Sequence, residues 1–430
     1  MKSDEYISII LFVSDSIPQL EKCLCHILDY TPSQQCELIV VETKECAELH
    51  GYVSALPNIT LLPYERDMSA GARYKSAVDL ATGTYIVFLH DFVLPGDGWL
   101  VELSRKKLEV KDCVIVQPFQ EEHDDVCEDA LNIYPGCFFI NRQVLLSLGS
   151  FSACYYTEYY CLAELAFRVL ADGGRIVNVG ACRVECCMHY DNENMKFFSQ
   201  DGKQYKLRNG FDWAYSTYVR ENMLDLLDYK KPGVSILDIG CACGANFVAI
   251  KNNNQSVALY GLELCEPAAK VAGNFANVQV TDFEKFENDD FNSKFDYVIM
   301  GDVLEHLFYT DKALQKVWHW LKPGGRLVVS VPNVAHISVI LAVLQGQWNY
   351  AESGILDNTH VRFFTRRTIL ACLEKNGFAV KEQYMTCINY ASDTSEVHFM
   401  KQLLHLPGLK VEKDDLNAYQ VVCLAEKVKC

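Results

Sequence analysis

From its N-terminus the chain alternates short apolar runs with amphipathic stretches. ISIILFV, CELIVVE, NITLLPY and TYIVFLHD are runs of strand length, separated by segments such as IPQLEKCLCHIL and SAGARYKSAVDLA whose pattern is helical. Strands alternating with helices predict a mostly parallel sheet, because a parallel neighbour is reached only through a crossover. The rhythm restarts near residue 234 with VSILDIG, ALYGLEL, VQVTDFEKF, FDYVIMGDVLEHL and RLVVSVPN, and GFAVKEQYM with YQVVCLAEK reads as an antiparallel pair closing that second sheet. The fold expected is α/β, two doubly wound domains in series: residues 1–190, a polar linker without clear periodicity at 191–212, and residues 213–430. The helical spacing of Trp213 to Leu227 is expected to pack over the second sheet, and a polar insert at 387–416 to lie between its last two strands.

A length of 430 residues suits two or three domains, each able to bury its own core. The 19 cysteines raise the question of disulfides. Their number is odd, the chain begins MKSDEY with no basic-then-apolar leader, and no apolar stretch approaches the ~20 residues of a membrane span. A reducing, cytoplasmic setting is therefore expected. Cys23/Cys25, Cys186/Cys187 and Cys241/Cys243 lack a second pair at zinc-finger spacing and read as buried small hydrophobes. The net charge of −17 is uneven: residues 1–200 hold 15 Lys+Arg against 29 Asp+Glu, the remainder 24 against 27. Such a surface argues against nucleic-acid and anionic-lipid partners, and EEHDDVCED reads as a solvated loop.

The most informative segment is VSILDIGCACGA, where a strand runs through Asp238 into a turn of small residues, Gly240, Ala242 and Gly244, before a helix. Such a turn lets backbone approach a ligand, and the helix after it offers unpaired N–H groups. Taken alone it also passes as a loose dinucleotide fingerprint, Gly-x-Ala-x-x-Ala, with an acid about 20 residues on. Three further strand ends follow at the same edge: Glu263, suited to ribose hydroxyls; Asp282 with Phe283, a carboxylate for an adenine amino group beside an aromatic wall; and Asp302. In this order the motifs resemble the class I S-adenosylmethionine-dependent methyltransferases, over roughly residues 211 to 430. The resemblance implies that Asp238 and the backbone at Gly240 and Gly244 hold the methionine part of S-adenosyl-L-methionine, Glu263 the ribose, and Asp282 with Phe283 the adenine. Ala242 stands where the family has its middle glycine, a departure that binding is expected to survive. Asp238 two residues before the first glycine, with DVLEHL, argues against a nicotinamide-dependent oxidoreductase.

In the N-terminal half, the order ISII, ELIVVE, AGARYKSAVDLATGTYIVFLHDFVLPGDGWL and PGCFFINRQVLLSLGSF resembles the family 2 glycosyltransferase catalytic domain, of the nucleotide-sugar-binding type A fold, over residues 5 to 190. That family holds Mn2+ or Mg2+ on the nucleotide-sugar diphosphate through an Asp-x-Asp motif. Here the segment is His90-Asp91-Phe92, which leaves Asp91 as a weak metal ligand with help from His90. The general base of the family maps to Glu164, ahead of Arg168, in a stretch that otherwise lacks its acids. Asp15 and Glu42, at the first two strand ends, are placed to contact the base and ribose of a nucleotide sugar. His189 falls where the family often has a histidine near the metal.

After the fifth strand of the second half, LDNTHVRFFT, Leu356 to Thr365, resembles the signature Leu-Asp-x-Thr-His-x-Arg-Phe-Phe-Thr of a methyltransferase subgroup common in bacterial surface-polysaccharide clusters and often fused to family 2 glycosyltransferases. The resemblance implies that this insert overhangs the transferred methyl. Trp348, Tyr350 and Phe363 would stack on a sugar face, and His360 and Arg362 would orient or deprotonate a hydroxyl, or else lock the insert together. Asp302 and His306 read as i and i+4 on a helix start, which makes His306 an alternative base. The function expected is methylation of a sugar hydroxyl on a glycan or saccharide intermediate, fused to a glycosyltransferase-like domain with degenerate metal and base motifs. Two alternatives stay open: a methyltransferase with a silent saccharide-binding N-terminal domain, and a small-molecule methyltransferase unrelated to glycans.

Overall fold

The computed structural model describes residues 6–31, 36–119, 127–180, 182, 184–186, 195–388, 394–406 and 412–428. The chain divides into two compact units, Met1–Thr217 and Tyr218–Cys430.

The four apolar runs of the first unit form β1 (Ile7–Val13), β2 (Cys36–Glu42), β3 (Ile59–Leu62) and β4 (Tyr85–His90), all parallel. Two of the three helices between them start where a serine hydroxyl can accept a backbone N–H, Ser16 from Gln19 before helix Ile17–Tyr30 and Ser69 from Ala72 before helix Ala70–Leu80, whereas helix Ala47–Ser54 follows Cys46 with no side-chain cap. Then come β5 (Val93–Pro95), β6 (Cys113–Pro118), β7 (Cys127–Ala130), β8 (Cys137–Asn141), β9 (Arg175–Val179) and β10 (Val184–Cys186). The large sheet runs β3-β2-β1-β4-β8-β6-β9-β7, and β5 pairs with β10 apart from it. Beyond β4 the sheet departs from a doubly wound parallel one: β8 is antiparallel to both β4 and β6, and β7 to β9. The described residues between β6 and β8 contain no helix, and without a helical crossover a returning strand pairs antiparallel.

The segment read as an aperiodic linker instead carries helix Met195–Asn209. It is tied to the first unit by Asp201, which accepts the Thr157 N–H at 2.6 Å and its hydroxyl at 2.7 Å, and by the buried ring of Tyr205. Its inward residues are few and partly polar, so its period does not show in hydropathy. The helix expected over Trp213–Leu227 is two short ones, Trp213–Ser216 and Glu221–Leu224. Trp213 is buried in the first unit and donates to Asn132 at 2.7 Å, whereas Met223, Leu224 and Leu227 join the core of the second. The β-branched and aromatic residues Thr217, Tyr218 and Val219 between the helices favour extended backbone.

The second unit is built on β11 (Ser235–Ile239), β12 (Ala258–Glu263), β13 (Asn277–Val280), β14 (Phe295–Gly301), β15 (Leu321–Pro332), β16 (Phe378–Cys387) and β17 (Ala418–Lys427), in the order β13-β12-β11-β14-β15-β17-β16. The first five are parallel, and β17 enters antiparallel between β15 and β16. Alternate residues of one strand go to opposite faces, Leu237 and Ile239 into one core and Ile236 into the other, and β14 divides likewise between Val298 and Ile299. Burial on both faces explains why these strands are continuous apolar runs. The polar insert before β17 holds helices Ser395–Leu404 and Lys413–Asn417.

Candidate active site

Parallel strands bring their carboxyl ends to one edge, and the strand order reverses between β11 and β14, where open α/β sheets bind ligands. Asp238 in β11, Glu263 at the end of β12, Asp282 after β13 and Asp302 after β14 all lie along this edge. Asp238 is 3% exposed and accepts from Asn246 Nδ2 at 2.9 Å. Burial pushes its pKa up to about 7, against the opposing pull of Asn246 and Arg220 and with a further push from Glu263. Glu263 holds the turn: Oε2 accepts the Ala242 N–H and Oε1 the Cys265 N–H, each at 2.8 Å. Every carboxylate oxygen keeps a second lone pair, so a diol can still bind there.

The turn residues Gly240, Ala242 and Gly244 have φ of +74°, +48° and +80°. A Cβ at Gly244 would sit 3.0 Å from the Cβ of Ala272, so this glycine is needed for packing as well as for backbone conformation. Ala242 adopts the same left-handed region with a methyl group, at a cost of roughly 1–2 kcal/mol. Asp282 lies at the surface, and Lys285, 2.7 Å away, holds its carboxyl below the usual range. The Phe283 ring does not form a wall along the edge; it is buried in the core, edge-on to Trp320 at 5.9 Å. The arrangement fits a cationic nucleoside: a buried carboxyl at the border of ionisation beside a glycine turn, with acids at two further strand ends.

Asp302 is not on a helix face with His306. Its φ is +57°, and only a 3-10 turn, Leu304–His306, follows. Its carboxylate is held by Arg220 Nη1 at 2.7 Å, by the Ser330 hydroxyl at 2.8 Å and by Gln420, so it is engaged on both oxygens and poorly placed as a base. His306 instead meets His360 of the insert, with ring centroids 4.8 Å apart at 71°. Partial desolvation of the ring, whose residue is otherwise exposed, and then the His360 charge lower the His306 pKa, which keeps the ring neutral near pH 7. His360 is 9% exposed, with Nδ1 3.0 Å from the Ile355 carbonyl. Arg362 is exposed and donates to the Phe308 carbonyl at 2.6 Å. Trp348 and Phe363 meet edge to face at 5.3 Å, and Trp348 and Tyr350 remain exposed. A cavity of about 210 Å3, lined by Ser338, Val339, Ala342, Gly354, Ile355 and Tyr419 among others, opens beside the insert.

Glu305 escaped the sequence reading. It is buried, neither carboxylate oxygen has a hydrogen-bond partner, and burial followed by the Asp302 charge raises its pKa well above the usual range. Its backbone carbonyl accepts from Val361 at 2.9 Å and Arg362 at 3.0 Å, which docks the insert on the β14 edge. The Glu-His pair was visible in DVLEHL, but no spacing announces that His360, 55 positions on from Glu305, joins it.

The first unit corrects several expectations. Asp91 is 1% exposed, and its Oδ2 accepts the Ser14 N–H and hydroxyl, both at 2.8 Å, closing the turn after β1. His90 points elsewhere, 2.8 Å from Glu158, and its ring lies against Phe12 and Phe92. Burial alone would lower the His90 pKa, but the Glu158 carboxylate raises it above the ordinary value. His90 and Asp91 therefore do not converge on a shared cation. Glu164 is buried, accepting from Tyr155 at 3.0 Å and from Asn209 at 3.0 Å, which makes it a tie to helix Met195–Asn209 and not an accessible base. Glu42 is buried too, accepting the Tyr64 N–H at 3.0 Å beside His50. Asp15 alone is exposed, 3.5 Å from Lys44. His189 and Cys187 lie outside the described residues. Asp91→Ala is expected to cost ~1–3 kcal/mol of stability by stranding the Ser14 N–H. Thermal unfolding of the variant measures this, and loss of a Mn2+-dependent sugar transfer without loss of stability would restore Asp91 as a metal ligand. Cys23, Cys241 and Cys243 are buried free thiols, but Cys25, expected to be buried beside Cys23, is exposed on the outer face of helix Ile17–Tyr30, and no described helix is long and apolar enough to cross a membrane.

Comparison with known proteins agrees with the second unit's geometry. Residues 212–383 match the family model described as "Methyltransferase domain". The chain is 25% identical over 181 residues to the human mitochondrial ubiquinone biosynthesis O-methyltransferase, covering 38% of this chain and 48% of that one. It is 29% identical over 146 residues to a phosphoethanolamine N-methyltransferase of Triticum aestivum, covering 30% and 28%. The chain thus spans about half the length, or less, of the curated relatives it matches. Among solved structures, GalNAc-T7 with UDP, GalNAc and Mn2+ aligns with a TM-score of 0.42 at 11% identity over 53% of this chain and 52% of that one. The match to a methyltransferase domain thus falls almost entirely within the second unit.

Proposed function

We propose that the second unit transfers a methyl group from S-adenosylmethionine to a hydroxyl of a saccharide or glycan intermediate. The observation that carries this reading is the switch-point edge itself, where Asp238 and Glu263 flank a left-handed glycine turn while His306, His360 and Glu305 gather at the adjoining strand end. The cofactor supplies a sulfonium methyl for in-line displacement. Asp238 meets its positive charge, Glu263 takes ribose hydroxyls, and the turn keeps side chains out of the way. A sugar hydroxyl is a poor nucleophile at neutral pH, so the histidine and glutamate cluster has the task of removing its proton. The exposed ring of Trp348, edge to face with Phe363, and the exposed ring of Tyr350 suit a sugar face. The first unit, on this reading, has the glycosyltransferase type A fold and serves as a saccharide-holding module with little or no sugar transfer, since Asp91, His90 and Glu164 are committed to internal contacts.

A small-molecule acceptor is the second reading, favoured by the curated relatives, whose names specify ubiquinone biosynthesis and phosphoethanolamine. Calorimetric titration with S-adenosylmethionine, then methyl transfer to panels of saccharides, catechol-type phenols and amino alcohols, separates the two. Saturable cofactor binding with transfer confined to phenols or amines would remove the glycan reading. Glu263→Ala is expected to weaken cofactor binding 10- to 100-fold, since hydrogen bonds to a charged acceptor are worth ~1.5–3 kcal/mol. Undiminished affinity would take Glu263 out of the site.

A further inference from the structure

Glu305 presents an energetic puzzle. A carboxyl with 1% exposure and no hydrogen-bond partner on either oxygen leaves its desolvation uncompensated, and such groups are rare unless something is meant to meet them. What faces it is His306, from the same turn, and His360, brought over by the insert. One donor atom from each of the three lies within 4.8 Å of the others. They are close enough to share an occupant, and the Glu305 oxygens form no hydrogen bond to either imidazole.

The partners of the imidazoles assign their tautomers. His360 Nδ1 is 3.0 Å from the Ile355 carbonyl, which can only accept, so Nδ1 carries the hydrogen and Nε2 the lone pair. His306 Nδ1 stands 3.3 Å from the Thr359 carbonyl and 3.2 Å from the Thr359 hydroxyl. That hydroxyl donates its own hydrogen to Asp357 Oδ1 at 2.6 Å, so it too accepts from Nδ1, and the His306 lone pair is on Nε2. Each histidine is thus oriented through one ring nitrogen by a carbonyl or a carboxylate-linked hydroxyl. This is how proteins hold histidines whose other nitrogen binds a metal.

We propose that Glu305, His306 and His360 form a binding site for one first-row divalent transition-metal ion, with at least one coordination position left open. Two imidazoles and a carboxylate suit Zn2+, Fe2+ or Co2+ better than Mg2+, which prefers an all-oxygen shell. Ligands ~2.0–2.1 Å from a tetrahedral ion stand roughly 3.3 Å apart, so binding draws the three groups together by rotamer adjustment. Asp302, paired with Arg220, stays outside the set. Ion binding stands independently of the methyl-transfer reading. Its consequence rests on that reading: with both Nε2 lone pairs on the ion, an acceptor hydroxyl in the open position would be acidified by the ion's charge and release its proton to water, in place of direct abstraction by an imidazole.

The test uses the full-length chain freed of metal with EDTA and titrated calorimetrically with Zn2+, Co2+ and Mg2+. One equivalent of Zn2+ is expected to bind, Mg2+ far more weakly, and Co2+ is expected to develop visible absorption bands without the intense near-ultraviolet band of thiolate ligation. Glu305→Gln and His360→Gln should each weaken Zn2+ binding at least 100-fold. Because His306 is exposed, His306→Gln is expected to fold and to show the same loss, so the test survives if a buried variant does not fold. Zn2+ binding untouched by His306→Gln, a thiolate-type Co2+ spectrum, or no binding at 100-fold excess would overturn the site. Titration of the same preparation with S-adenosylmethionine reports separately on the methyltransferase reading, so either proposal can fail without the other.

Discussion

His360→Ala is expected to lower methyl-transfer turnover by ~100-fold or more while the affinity for S-adenosylmethionine stays within a few-fold of the parent. The split follows from placement. The cofactor contacts proposed for Asp238, Glu263 and the glycine turn lie at β11 and β12, whereas His360 comes from the insert and meets His306 at the end of β14. Removing the imidazole deletes one of the two nitrogen lone pairs that either take the acceptor proton directly or hold the ion proposed to acidify it, and leaves the carboxylates in place. Because the ring is buried and bonded to the Ile355 carbonyl, the change also loosens the insert, so turnover has to be read beside thermal unfolding and cofactor titration. Loss of cofactor binding in proportion to turnover would mark His360 as a structural tie and leave His306 as the better candidate.

The contrast between Glu263 and Glu305 shows what the sequence could and could not reveal. Glu263 stands at the end of an apolar strand 18 residues after Ala245, and parallel pairing of β11 with β12 forces it to the carboxyl edge of the sheet; period and spacing suffice for that placement. Glu305 matters through its lack of partners, a property of the folded surroundings that no local pattern encodes. Asp302 illustrates the converse: its spacing to His306 suits i and i+4 on a helix, yet no helix forms there, because Asp302 takes a left-handed conformation and Arg220, 82 positions earlier, claims its carboxylate. The parallel core of each sheet was legible because strands buried on both faces read as continuous apolar runs. Helix Met195–Asn209 was not legible, since its attachment is carried by Asp201 and Tyr205 and not by an apolar stripe. In the first unit the missing acids were visible as letters. That Asp91 is spent on Ser14 and Glu164 on Tyr155 and Asn209 became apparent only from the packing.

Cofactor affinity is expected to rise about tenfold between pH 6 and pH 8, and the stability of the unliganded protein to move the other way. Both follow from Asp238, whose pKa burial pushes up from 3.8 to about 7. An acid with a raised folded pKa binds more protons folded than unfolded between those two values, so stability falls as pH climbs through that window. The penalty is complete above pH 7 and amounts to at most about 4 kcal/mol, taking ~1.4 kcal/mol per pH unit. A ligand carrying positive charge binds the ionised form, so its affinity follows the ionised fraction, about one-tenth at pH 6 and nine-tenths at pH 8 for a pKa of about 7. Asp238→Asn should flatten the stability profile above pH 4, raise the melting temperature at pH 8 relative to the parent, and abolish the pH dependence of whatever cofactor binding remains. Calorimetry at pH 6, 7 and 8 on parent and variant, with thermal unfolding in the same buffers, measures all three effects. A parent whose cofactor affinity is flat across this range, or a variant that keeps the slope, would assign the charge recognition to a group other than Asp238. Glu263, which acts on Asp238 by charge and holds the turn beside it, is then the next residue to substitute.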